Sequence, residues 1–141
     1  MYVLKSEASF DSAHFLSGYN GKCANIHGHR WKIEVEICGG QLVADGDKRG
    51  MLIDFGDLKK EVRNLADSFD HALIYEAGSL KPDTVTALVS ENFKLIGLPF
   101  RPTAENLAKH FFDLLNAGEL PVKSVTVFET PENRAIYTEE V

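Results

Sequence analysis

The sequence predicts a single α+β domain in which two main helices cover one face of a four-stranded antiparallel sheet. Apolar and polar residues alternate with a period of two near both ends of the chain, and helical spacing replaces this alternation in between. Strands grouped at the ends with helices between them are typical of α+β domains. The chain has 141 residues, of which 44% are hydrophobic, and this suits one ordinary core. We therefore expect one domain over residues 1–141, in the order strand–strand–helix–helix–strand–strand.

The first two strands are predicted from parity. Over residues 2–15, apolar side chains and His14 share one parity, while the charged side chains share the other. A loop with two glycines follows to about residue 25. The next stretch, HGHRWKIEVEIC, has the clearest alternation of the chain, with His27 and His29 on its apolar side. This pattern is typical of a half-buried antiparallel strand with one wet face.

Two segments have the spacing of amphipathic helices. Residues 55–68 place apolar side chains, beginning with Phe55, on one stripe, and Asp54 stands where an N-cap is expected. The second helix should be capped by Thr103 and should end at Gly118.

Weaker patterns fill the rest of the chain. Within residues 81–98, a short helix capped by Asp83 or Thr84 is predicted, and FKLIGLPF suggests a short edge strand. The inward side chains of that helix should be Val85, Leu88 and Val89. Two further strands, joined by a turn at residues 131–134, are expected to complete the sheet.

Charge and composition exclude several functional classes. The net charge of −6 argues against a general nucleic-acid binder, which needs a basic surface to neutralise phosphates. No apolar run has the length of a membrane span, and MYVLKSEASF does not resemble a secretory signal. The cytoplasm is therefore the expected compartment, in which Cys23 and Cys38 should stay reduced.

Three histidines are candidate metal ligands. His27 and His29 point the same way because they lie two residues apart on a strand, and His14 comes near them if the first two strands pair. Three neutral imidazoles and one open position form a typical catalytic zinc site. Two alternatives remain open from the residues alone: ordinary surface or packed histidines, or a closed structural site with Cys23 as the fourth ligand.

Six sequence blocks resemble a known family. They are FDSAHFL, C-x-x-x-HGH, IDFGDLK, FDHALI, RPTAENLA and FETPENRAIY, in this order between residues 10 and 137. Together they resemble the 6-pyruvoyl-tetrahydropterin synthase family, which includes the bacterial 6-carboxytetrahydropterin synthase of queuosine biosynthesis. The resemblance implies the tunnelling fold, in which subunits join their sheets into a barrel around a tunnel. It also implies a homohexamer built as a dimer of trimers.

The resemblance implies roles for a zinc centre and a catalytic group. The implied Zn²⁺ ligands are His14, His27 and His29. Cys23 is the implied catalytic thiol, and Asp70 and His71 match the pair that assists it. Neighbours in sequence need not touch each other, so Asp70 could instead pair with the His71 of a neighbouring subunit or simply orient the local loop.

The substrate-binding residues are implied in the same way. Glu129 matches the carboxylate that holds the amino-pyrimidine edge of a pterin, and Thr103 and Glu105 lie in the block that lines the pterin pocket. The phosphates of the substrate need cations. Candidates for that task are Lys22, Arg30, Lys32 and Arg134.

Three functions follow as hypotheses. The family substrate is 7,8-dihydroneopterin triphosphate, and retention of Cys23 favours the synthase branch over members that use a nearby glutamate. The expected reaction releases triphosphate and acetaldehyde and leaves a 6-carboxy product. A 6-pyruvoyl product would need the same residues, and a non-catalytic, zinc-stabilised binding protein is the third hypothesis.

Overall fold

The computed structural model describes residues 1–139, which form one six-stranded sheet and three α-helices. The strands are β1 (Tyr2–His14), β2 (His27–Gly39), β3 (Leu73–Glu76), β4 (Leu95–Leu98), β5 (Val122–Phe128) and β6 (Arg134–Thr138). The helices are α1 (Phe55–Phe69), α2 (Pro82–Ser90) and α3 (Ala104–Ala117). Across the sheet the strands follow the order β4-β3-β1-β2-β5-β6.

The sheet is mixed, which corrects the prediction of four antiparallel strands. The four predicted strands at the ends of the chain pair antiparallel as expected, but β3 pairs parallel with both β1 and β4. The strand Leu73–Glu76 was missed because it has only four residues, and the adjacent Ile74 and Tyr75 are both buried, so it lacks a period of two. Parallel strands need a crossover, and α2 provides it between β3 and β4. The predicted edge strand is confirmed as β4.

The core lies between one face of the sheet and the helices α1 and α3. Phe10 and Trp31 are buried at its centre, and their rings stack with centroids 6.0 Å apart. The predicted apolar stripe of α1 is buried except for Phe55, which is 63% exposed. Side chains tilt toward the N-terminus of a helix, so the first residue projects past the packed surface.

Helix caps agree with the sequence for α1 and α3. The Asp54 carboxylate accepts the Gly56 N–H at 2.7 Å, and the Thr103 hydroxyl accepts the Asn106 N–H at 3.2 Å. Helix α3 ends with Gly118 as its C-cap. Its predicted inward stripe is buried and packs against β5 and β6.

Helix α2 differs from its prediction. It begins at Pro82 with Lys81 as the N-cap, rather than at Asp83 or Thr84, because proline suits the first helical position. Val85 and Leu88 are its only half-buried residues, as predicted, whereas Val89 is 57% exposed, so the prediction of an inward side chain was wrong for Val89. Within residues 1–139, every helix falls short of the length and apolarity that crossing a bilayer requires.

Candidate metal centre and active site

The register of β1 and β2 brings the three candidate histidines together. His14 pairs directly with His27, and His29 lies opposite Ser12, so all three imidazoles lie on the helix-covered side at one end of the sheet. One ring nitrogen from each lies within 4.8 Å of the others. The ring centroids of His14 and His27 are 4.5 Å apart. The predicted convergence is therefore present in the fold.

Backbone carbonyls fix the orientation of two of these rings. His14 Nδ1 lies 2.9 Å from the Pro102 oxygen, and His27 Nδ1 lies 2.7 Å from the Asn25 oxygen. A carbonyl oxygen only accepts hydrogen bonds, so each Nδ1 carries the proton and each Nε2 keeps a free lone pair. Such outer contacts are typical of metal-binding histidines.

The inner faces of the rings lack partners. The Nε2 atoms of His14, His27 and His29 are buried, and none has a hydrogen-bond partner in the described part of the chain. Buried polar atoms without partners are unfavourable, and three of them facing one point fit a cation. Neutral imidazole nitrogens are ligands that Zn²⁺ prefers, so this donor set fits zinc.

Burial keeps the imidazoles of His14 and His29 in the metal-binding form. Removal from water lowers the pKa of His14 from 6.5 to about 4, although the Pro102 carbonyl opposes this effect. Burial also lowers the pKa of His29, against the attraction of the Glu129 carboxylate. Both groups are therefore neutral at pH 7, as metal binding requires.

Asp70 and His71 form a contact pair at the end of α1. The second carboxylate oxygen of Asp70, Oδ2, lies 2.9 Å from His71 Nδ1, while Oδ1 accepts the Asp11 N–H at 2.8 Å. Both contacts lower the pKa of Asp70, and the hydrogen bond from the Asp11 N–H has the larger effect. The backbone N–H of His71 donates to the Asp11 oxygen at 2.7 Å, and its φ of 53° is left-handed. The imidazole itself is 79% exposed, so its far nitrogen faces outward.

Ser12 holds this pair in place, and sequence reasoning missed it. Its hydroxyl donates to the Phe69 oxygen and accepts the Ala72 N–H at 3.1 Å, so it connects both ends of the segment that carries Asp70 and His71. Ser12 is only 6% exposed. The available signal was a polar side chain on the buried parity of β1.

Cys23 stands outside the histidine cluster and is not hydrogen-bonded to the Asp70–His71 pair in the described chain. It belongs to a single 3₁₀ turn, Lys22–Ala24, and its thiol is free and half-buried. Among the described His, Cys, Asp and Glu residues, the ligand cluster contains the three histidines and leaves Cys23 out. No hydrogen bond within residues 1–139 joins it to Asp70 or His71. The structure therefore brings together the metal ligands and, separately, the Asp70–His71 pair, but it does not unite Cys23 with that pair inside one chain.

A family model described as 6-pyruvoyl tetrahydropterin synthase matches residues 3–140. The chain belongs to this family. It is 42% identical over 142 residues to the 6-carboxy-5,6,7,8-tetrahydropterin synthase of Haemophilus influenzae, and the match covers 99% of this chain and 100% of that protein. A protein of the same name from Rickettsia bellii is 33% identical over 86% of this chain and 89% of its own length.

Solved structures support the family fold. The structure of Caenorhabditis elegans 6-pyruvoyl tetrahydropterin synthase matches with a TM-score of 0.68 and 24% identity, covering 99% of this chain and 96% of that one. An uncharacterized protein of Wolinella succinogenes matches with a TM-score of 0.83 and 21% identity, covering 99% and 98%.

Of the residues that the family resemblance assigns to the pterin, Glu129 lies beside the candidate metal centre. Glu129 Oε1 is 3.3 Å from His29 Nε2, and Glu129 also lines a cavity of about 430 Å³ with Glu105 and Arg134. The Thr103 hydroxyl is used as the cap of α3.

The candidate phosphate cations are dispersed. Arg134 reaches the cavity beside Glu129, and its guanidinium also lies over the Phe128 ring. Arg30 and Lys32 lie on the other face of the sheet from the histidines, where they form ion pairs with acidic neighbours. Lys22 is exposed on the 3₁₀ turn beside Cys23.

Proposed function

We propose that the protein is a zinc-dependent 6-carboxy-5,6,7,8-tetrahydropterin synthase. It would act on 7,8-dihydroneopterin triphosphate, releasing triphosphate and acetaldehyde, in the cytoplasmic biosynthesis of queuosine and related 7-deazaguanines. One observation carries this proposal: three histidines bring buried Nε2 atoms without hydrogen bonds close together, in a chain 42% identical to a protein of that name.

The three histidines would hold Zn²⁺ and leave a fourth position for substrate. Cys23 lies outside the ligand cluster, which supports an open site over a closed structural one. When bound, zinc supplies Lewis-acid polarisation of the side-chain hydroxyl oxygens of the substrate.

Proton transfer falls to the protein's own side chains. Cys23, as a thiolate, would take the proton from the substrate carbon, because a carbon acid beside a polarised oxygen needs a base within reach. His71 would exchange protons with it, since Asp70 holds Nδ1 and leaves Nε2 free on the surface. Because these groups do not meet in one chain, we propose that the homohexamer, a dimer of trimers, places the His71 of one subunit at the Cys23 of a neighbour.

Glu129 would hold the pterin. A carboxylate can accept two parallel hydrogen bonds, from a ring N–H and from the exocyclic amine. Its oxygen lies 3.3 Å from His29 Nε2, so a pterin bound there would lie beside the metal. Glu105 lines the same cavity, and Thr103 supports that wall by capping α3.

A product assay tests the proposed activity. Zinc-loaded protein is incubated with 7,8-dihydroneopterin triphosphate, and triphosphate, acetaldehyde and the pterin product are measured. We expect all three, with a 6-carboxy group on the pterin. The alternative, 6-pyruvoyl-tetrahydropterin synthase, shares these site residues and predicts triphosphate release without acetaldehyde. Absence of triphosphate release from the zinc-loaded protein would reject both.

The Cys23→Ala variant separates catalysis from a structural role, and Cys38→Ala is the matched control. Catalysis predicts that Cys23→Ala keeps one zinc per chain and loses turnover, whereas Cys38→Ala, at the far end of β2, keeps both. A non-catalytic, zinc-stabilised protein with Cys23 as the fourth ligand predicts lost zinc and lower thermal stability instead.

A further inference from the structure

We infer that Arg101 is a positioning residue that sets where the thiol of Cys23 lies relative to the metal centre. The inference rests on the proposed function, because it concerns the same site. The feature involved is the thiol loop, defined as residues 16–25, which connects β1 to β2 and carries Cys23.

The thiol loop depends on few contacts. Most of its residues are exposed, and Gly18 has a left-handed φ of 77°. Its described backbone hydrogen bonds stay within the loop, such as Leu16 N–H to the Cys23 oxygen at 2.9 Å. The contact of His27 with the Asn25 oxygen ties it only to its own hairpin.

Arg101 connects this loop to the body of the protein. Its Nη2 donates to the Ser17 oxygen at 2.7 Å, across 84 positions of sequence, in a half-buried contact. A charged guanidinium gives a stronger hydrogen bond to a carbonyl than a neutral donor does. The same Nη2 lies 3.6 Å from where a Cβ on Gly18 would stand, so the guanidinium packs against the loop backbone at its left-handed turn.

The segment that carries Arg101 is itself held rigidly. The Arg101 oxygen accepts the Thr103 N–H at 2.8 Å and the Asn106 side-chain amide at 3.0 Å. The neighbouring Pro102 oxygen orients the ring of His14. One short stretch of chain therefore fixes a metal ligand through its backbone and the thiol loop through a side chain.

This arrangement predicts a selective effect of losing Arg101. The histidines keep their own contacts and should still bind metal. The thiol loop loses the hydrogen bond that joins it, among the described residues, to the chain outside the hairpin, and it should open locally more often. Small misplacements of a reacting group can lower turnover about 100-fold. Turnover should therefore fall while binding of metal and substrate is largely kept.

The test compares Arg101→Gln and Arg101→Lys with the control Arg49→Gln. Arg49 makes the same kind of bond, from a guanidinium to the Gly46 oxygen at 2.9 Å, in a loop without site residues. For Arg101→Gln we expect kcat to fall roughly 10- to 100-fold with KM nearly unchanged and one zinc per chain retained. Hydrogen exchange at the Leu16 and Ala24 amides, and alkylation of Cys23, should accelerate. Arg101→Lys should recover part of kcat, and Arg49→Gln should match wild type.

Two results would overturn the inference. One is an Arg101→Gln protein with wild-type kcat and wild-type exchange in the thiol loop. The other is zinc loss that matches the loss of activity, since this would place the effect on His14. If Arg101→Gln does not fold, the exchange and kcat of Arg101→Lys decide in the same way. Exchange and alkylation need no substrate. If the wild-type protein is inactive in the product assay but Arg101→Gln still loosens the thiol loop, the proposed function is rejected and the positioning role of Arg101 stands.

Discussion

Zinc bound at the three-histidine centre should raise the melting temperature of the protein by roughly 12–16 °C. Without a cation, the buried Nε2 atoms of His14, His27 and His29 have no hydrogen-bond partners in the described chain, and only that of His29 has a carboxylate nearby, Glu129 Oε1 at 3.3 Å. Each such atom costs about 1–3 kcal/mol in the folded state. The metal-free protein should therefore be markedly less stable than the loaded one.

The magnitude follows from the geometry and from linkage. A tetrahedral zinc with bonds of about 2.0–2.1 Å needs ligand nitrogens roughly 3.4 Å apart. The three nitrogens already lie within 4.8 Å of one another, so only small side-chain movements are required. Free zinc at about 1,000 times its dissociation constant stabilises the folded state by about 4 kcal/mol. In a domain of this size each kcal/mol raises the melting temperature by roughly 3–4 °C.

Thermal unfolding with and without zinc measures this effect. Protein stripped by a chelator is compared with protein at several buffered zinc concentrations, and bound metal is counted by mass spectrometry. His29→Gln should abolish most of the shift, because glutamine offers no imidazole ligand. His110→Gln is the matched control, since His110 packs against Phe69 and Phe100 instead. Equal melting temperatures with and without zinc, or a full shift in His29→Gln, would refute the reasoning.

Three further predictions concern other parts of the molecule. Glu129→Gln should raise KM at least tenfold while zinc stays bound, because an amide cannot accept both pterin hydrogen bonds. Steady-state kinetics and metal analysis check this. An unchanged KM would exclude Glu129 as the residue that holds the pterin. Ser12→Ala should lower the free energy of unfolding, measured by urea denaturation, by about 1–3 kcal/mol, because the Phe69 oxygen and the Ala72 N–H lose a buried partner. A change near zero would show that water replaces the hydroxyl. Burial lowers the pKa of His110, so the folded state favours its neutral form. The folded state therefore keeps its full stability above pH 6.5 and loses stability as the pH falls, because the unfolded chain takes up the proton more readily. In zinc-loaded protein, urea unfolding between pH 7 and 5 should therefore be less pH-dependent for His110→Gln than for wild type, and equal slopes would contradict the burial.

Regular periodicity made much of the fold predictable. The alternation runs along nearly all of β1 and β2, so parity alone indicated most of the side chains that enter the core. Helices α1 and α3 each have a cap and a long apolar stripe. By contrast, β3 gave no such signal, because a four-residue strand with adjacent buried side chains resembles any apolar segment.

The site was predictable where it depends on strand parity and less so where it depends on tertiary contacts. His27 and His29 share a face by spacing alone, and pairing with β1 adds His14. The contact between Asp70 and His71 depends on a left-handed residue that is not glycine, which spacing does not reveal. The roles of the Pro102 oxygen and of Ser12 come from backbone groups brought together by the fold.

The long hairpin register has a consequence for how this protein can change. Thirteen consecutive residue pairs, from Tyr2–Gly39 to His14–His27, set the position of the imidazoles. A slip by one residue would turn His27 and His29 to the opposite side of the sheet and expose the core face of β2, so the register is strongly held. Insertions or deletions between residues 16 and 24 leave these pairs untouched, and also the Asn25 oxygen that orients His27. The segment bearing the sulfur can thus be lengthened or shortened while the cation site stays intact.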